Sequence, residues 1–253
     1  MKRIPLILTW ILAAAALSSA QTTFYFPQIA DGQQSGGGWQ TVIAITNAAA
    51  AGTQAASGTV SFTQDNGTAF NIAFVDDHNQ PVGSGNTIPF QVAGGQTRFY
   101  SSTAAGSLAV GFATVTSDLP VTGGAVFQEF SSSGSDIAQA GVGAATPLAR
   151  QASFVIRESH ADTAFAIANP STSAATITFQ LLDKNGVAAF PSASMTLPGL
   201  NHTAKFIGEL FPNAPATFFG TMQVISQTPL VSTTLFFPGG GIFTTMPVIA
   251  LAP

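Results

Sequence analysis

From Thr22 onward the chain is a succession of short stretches in which apolar and polar side chains change places every residue or two. Thr59-Val60-Ser61-Phe62-Thr63 alternates strictly. The stretches Thr41 to Thr46, Ala109 to Thr116, Thr163 to Ala168, Thr176 to Leu182, Thr221 to Ser226 and Leu230 to Phe237 are equally rich in Val, Ile, Thr and Phe. A period of two sends successive side chains to opposite faces of an extended strand, and branched or aromatic side chains suit such a pleated surface. Gly, Pro, Asn and Asp interrupt these runs, as in Asp65-Asn66-Gly67, Gly94-Gly95 and Lys184-Asn185-Gly186, where the chain must turn. Helical spacing is confined to Phe206 to Phe211, a single turn stopped by Pro212. The pattern predicts an all-β protein of many short strands, a sandwich or a barrel.

The same blocks occur twice in the same order. Thr41 to Asn47 resembles Thr163 to Asn169, and Thr59 to Gly67 resembles Thr176 to Gly186. Val92-Ala93-Gly94 with Arg98-Phe99 matches Leu197-Pro198-Gly199 with Lys205-Phe206. Gly111, Val115, Ser117, Pro120 and Phe127 recur without a gap as Gly220, Val224, Ser226, Pro229 and Phe236. This order implies duplication of one unit. The expected fold is two tandem immunoglobulin-like antiparallel β-sandwich domains, 21–148 and 149–253, with 151–253 able to fold alone. The join is the small-residue run Gly141 to Pro147, either a flexible link or an ordered edge strand. The corresponding place of Gly241 to Val248 favours the strand.

Residues 1–20 read differently. Lys2 and Arg3 precede an apolar run from Ile4 to Leu17, and Ser18-Ser19-Ala20 supplies small residues before a cut at Gln21. That is the pattern of a signal peptide, with a retained N-terminal anchor as the alternative. The expected location is therefore secreted or periplasmic, with no stable membrane span in the mature chain. Removal of the leader leaves five cationic side chains, Arg98, Arg150, Arg157, Lys184 and Lys205, against eleven carboxylates. So few scattered cations cannot neutralise a phosphate backbone, which argues against a nucleic-acid partner. Charged residues are only 7% of the chain, so Ser, Thr, Asn and Gln carry its polar surface and repulsion between copies is weak. Self-association is an expectation from that balance. Cys is absent, which removes disulfides, thiol catalysis and thiolate metal sites.

The entry Phe26 to Gly32, the approach Gly38-Trp39-Gln40-Thr41 and the strand end Ala166 to Pro170 carry a family likeness. So do Leu197-Pro198-Gly199 with His202-Thr203-Ala204, Glu209 to Pro212 and Phe243 to Val248. Together these resemble the duplicated β-sandwich modules of secreted, largely uncharacterised bacterial proteins of acidobacterial type. The likeness spans nearly all of the chain after the leader. It implies an extracytoplasmic module and carries over no catalytic residue.

Candidate chemistry is sparse. No Gly-x-Ser-x-Gly elbow occurs, and His78, His160 and His202 stand far apart in sequence. Gly141-Val142-Gly143 begins like a dinucleotide turn, but Pro147 falls where a helix should run. Asp76 and Asp77, in the loop Val75 to Asn86, are candidate cation ligands, although the spaced Asp pattern of a calcium loop is missing. That loop has no counterpart in the second half. Glu129, Glu158 and Glu209 are the available glutamates, with Glu209 read as a turn or cap partner. Trp39, after Gly36-Gly37-Gly38, is the candidate stacking platform, with Tyr25 and Tyr100 beside it. The alternative for Trp39 is a place covering the sandwich end or in the core.

No cofactor or metal is expected. The expected function is an exported, non-catalytic structural or adhesion-type protein whose partner is a cell-surface or matrix glycan or protein. A carbohydrate- or ligand-binding module using Trp39 is one alternative, and a hydrolase with its site between the modules is another.

Overall fold

The computed structural model describes residues 22–252. The leader expected over residues 1–20 lies outside them. The chain is all-β, 63% strand and 2% helix, as period-two patterning predicts.

The first half contains β1 (Thr22–Gln34), β2 (Gly37–Thr46), β3 (Ala56–Gln64), β4 (Phe74–Asp76), β5 (Pro81–Gly83), β6 (Thr87–Val92), β7 (Thr97–Ser102), β8 (Ala109–Ser117), β9 (Thr122–Ser131) and β10 (Asp136–Gly143). One layer runs β1-β8-β3-β6 and the other β5-β4-β7-β2-β9-β10, all antiparallel. Strand β1 joins both layers, pairing with β8 as far as Asp31 and with β2 from Gly32.

The second half contains β11 (Leu148–Arg157), β12 (Asp162–Ala168), β13 (Ala175–Asp183), β14 (Ala193–Leu197), β15 (His202–Phe206), the one-turn helix α1 (Ile207–Leu210), β16 (Phe218–Gly239), β17 (Ile242–Met246) and β18 (Ile249–Ala250). Its layers run β18-β11-β16-β13-β14 and β15-β12-β16-β17. The pairing order β1-β8-β3-β6 is thus met again as β11-β16-β13-β14, and β7-β2-β9-β10 as β15-β12-β16-β17.

Inward positions fill each layer pair with Phe, Ile and Val. Phe26, Val60, Phe62 and Ile43 are fully buried in the first half, and Ile177, Leu181 and Met222 in the second. Each such side chain withdrawn from water contributes about 1.5–3 kcal/mol. Phe62 stacks on Phe74 at 5.0 Å, which anchors the β4–β5 hairpin to the core.

The halves share apolar contacts. Ala164, Ala166, Leu235 and Phe243 of the second half pack into the core of the first. Phe112 meets Ala168 and Val231 alongside Tyr25 and Ala145. The join itself is ordered: β10 ends at Gly143, and Ala145 bridges to Tyr25 with both backbone bonds, 2.9 and 2.8 Å.

Candidate functional site

A cleft of about 590 Å³ opens where the two halves meet. Strands β2 and β9 form one wall, contributing Trp39 and Glu129. The tips of two second-half hairpins form the other. Each tip has a local cause in the sequence. At the end of β16, Gly240 and Gly241 have φ of 69° and 78°, the left-handed values a two-residue hairpin turn requires. Between β11 and β12, Glu158 and Ala161 exchange backbone bonds of 2.8 and 3.3 Å around Ser159-His160. That turn sets Glu158 and His160 on the rim.

Trp39 is half-buried, and what holds it is aromatic. Its ring stacks on Phe127 at 5.8 Å and on Phe243 at 5.4 Å, and these two stack on each other at 5.2 Å. The preceding glycines do not lift it into solvent. A Cβ on Gly37 would lie 1.9 Å from the Phe130 carbonyl oxygen, so the run lets the β1–β2 hairpin press against β9. Trp39 and Glu129 are direct partners in the β2–β9 ladder. Directly opposed residues share a sheet face, with Cβ atoms about 4.5–5.5 Å apart.

Across the cleft, Arg157 Nε lies 3.6 Å from Asp162 Oδ2, and Arg157 Nη1 donates to the Ala214 carbonyl at 3.2 Å. The guanidinium is occupied by these acceptors. Among the described residues, neither Glu129 nor Glu158 has an ion-pair or side-chain hydrogen-bond partner.

The other candidate residues lie elsewhere. Tyr25, half-buried, packs on the Phe112 cluster, and burial raises the pKa of its hydroxyl. Tyr100 is buried in the first-half core opposite Asp76 in the β7–β4 ladder, and burial is the main cause of its raised pKa. Trp39 is therefore the one aromatic of the three at the cleft. Asp76, Asp77 and His78 can bring one ligand atom each within 4.8 Å of one another on the exposed β4–β5 hairpin. Asp76 Oδ1 already accepts from the Gln80 and His78 backbone N–H groups at 2.8 and 2.9 Å, and these bonds, Gln80's foremost, lower its pKa. This is a closed turn. His160 is at the cleft, while His202 is buried against Asp65 with Nδ1 2.6 Å from Oδ1. Glu209 accepts from the Phe206 N–H at 2.8 Å and from Lys205 at 2.9 Å, a cap on α1.

The sequence reading missed the second wall. Arg157, Asp162 and Gly239 to Gly241 carry no motif, and the one available signal was a second glycine triplet resembling Gly36 to Gly38. A second groove, about 490 Å³, lies between the join and the last strands, lined by Thr146, Gln151, Ser232 and Thr245 and by no charged side chain. Comparison with protein-family models, with curated proteins and with solved structures finds no match to this chain.

Proposed function

We propose that this is an exported, non-catalytic adhesion-type protein, built of two duplicated immunoglobulin-like sandwiches, that binds a carbohydrate in the cleft at Trp39. One observation carries the proposal: a half-buried tryptophan, backed by Phe127 and Phe243, whose remaining surface lines a cleft large enough for a sugar unit or two. Sugars offer apolar ring faces and equatorial hydroxyls, which a flat indole and neighbouring carboxylates complement. Support for export is the leader pattern of residues 1–20. Among the described residues no helix is long and apolar enough to cross a membrane. The parallel pairing order of the two halves supports duplication.

The test is glycan-array binding by the wild-type protein and by Trp39→Ala, with urea unfolding as the control for folding. Retained glycan binding in a folded Trp39→Ala protein would sink the assignment of the site. A junction hydrolase is the second reading, because Glu129 and Glu158 line one cleft. Release of reducing sugar from a bound glycan, lost in Glu129→Gln, would establish it in place of simple binding.

A further inference from the structure

The charge on the cleft walls narrows the class of sugar. We infer that the Trp39 cleft selects a cationic carbohydrate, one bearing a free amine on the ring. This inference rests on the carbohydrate reading above and adds to it the sign of the ligand.

Three features of the site lead to it. Trp39 and Glu129 sit side by side on one sheet face as ladder partners and both line the cleft, so an indole and a carboxylate border the same small volume. A cation over an indole is attracted by the ring quadrupole, and a neighbouring carboxylate adds direct charge attraction. On the opposite wall Glu158 stands at a hairpin tip, also without an ion-pair partner among the described residues. The cleft's one arginine offers no compensation, since Arg157 is held by Asp162 and by the Ala214 carbonyl. Two carboxylates are left unneutralised around the aromatic.

In a chain with only 7% charged residues, four of them line this one cleft. An anionic sugar such as a uronic acid would meet Glu129 and Glu158 as like charges and be rejected. A neutral sugar would gain stacking and hydroxyl hydrogen bonds without charge attraction. An ammonium beside the ring adds that attraction to both.

The experiment is calorimetric titration of the whole protein with two oligomers of one sugar, the glucosamine hexamer and the N-acetylglucosamine hexamer, at a pH where the free amine is protonated. They differ in charge and share the ring. The glucosamine oligomer is expected to bind about ten-fold or more tightly than its acetylated form. That preference should shrink with added salt and vanish in the Glu129→Gln/Glu158→Gln variant, whose carboxylates have no structural partner to lose. Equal or tighter binding of the acetylated oligomer would overturn the cationic inference while leaving the sugar site standing. Binding of either oligomer that persists in Trp39→Ala, or of neither by the wild type, would overturn the site reading as well.

Discussion

Asn47 and Asn169 are buried polar residues whose side chains make three and four hydrogen bonds. Each is buried at the end of a strand and ties two loops together. Asn47 Nδ2 donates to the Gln54 and Val92 carbonyls, and Asn169 Nδ2 to those of Ser173, Leu197 and Pro198. Each Oδ1 accepts the N–H two residues on. Removing such a side chain strands buried carbonyls, at about 1–3 kcal/mol for each group left without a partner. Asn169→Ala should therefore lose at least ~2 kcal/mol in urea unfolding, and an unchanged midpoint would contradict this role. A backbone position gives the opposite sign. Leu200 has φ 62° where the equivalent turn of the first half has Gly95 at 77°. A branched side chain is strained there by about 1–2 kcal/mol, so Leu200→Gly should leave stability equal or raise it by up to about 1 kcal/mol. Asp31 titrates against the rule for carboxylates. It is buried at 3% exposure, and desolvation raises its pKa despite hydrogen bonds from Ser102 and the Ala104 N–H. The native state then holds this proton to a higher pH than the unfolded chain does. Its contribution to stability accordingly falls as pH rises from the ordinary value, 3.8, to the raised one. Urea unfolding followed across that window should lose this slope in Asp31→Asn.

Strand β12 explains how the halves approach so closely. Phe165 and Ile167 face its own sandwich, while Ala164, Ala166 and Ala168 face the first half. Small side chains on that outer face let the first-half core lie directly against the strand. Ala166 is fully buried, so Ala166→Leu would overfill the contact and should destabilise by about 1–3 kcal/mol in urea unfolding. Strand β16 shows why a proline is tolerated mid-strand. Thr221 to Ser226 and Leu230 to Phe237 read as separate strands around Pro229, yet they form one strand of 22 residues. Ladder pairing with β13 ends at Ser226 and pairing with β12 begins at Val231. Pro229 falls between these ladders, where its missing N–H breaks neither.

At the scale of the whole molecule, the junction is a mixed seam. Phe243 reaches from β17 onto Trp39 and Phe127, and the buried His202 bonds to Asp65 through both Nδ1 and its backbone N–H, at 2.6 and 3.1 Å. Loss of Phe243, only 6% exposed, empties the back of the Trp39 platform and the edge of the shared core. Phe243→Ala should cost about 3–5 kcal/mol and shift Trp39 fluorescence. The same contact bears on residues 149–253 alone, which would expose Ala164, Ala166, Leu235 and Phe243. Less stability than the whole chain, together with self-association in sedimentation, is expected of that segment. A segment that stays monomeric with undiminished stability would show the seam to be energetically idle.

What the sequence determined by itself was local. Alternation, turn glycines and the Asp65-Asn66-Gly67 type of corner decide strand or turn within a few residues, because side-chain direction and left-handed φ are local properties. Trp39 and Glu129 could be singled out for their chemistry. That they are neighbours was decided by a ladder joining residues 90 positions apart. That Arg157 is occupied was decided within the second half, by Asp162 and the Ala214 carbonyl, whereas the meeting of Glu129 and Glu158 at one cleft depended on packing between halves. A chain encodes such juxtapositions only through the register and docking of its sheets, which no short stretch of residues contains.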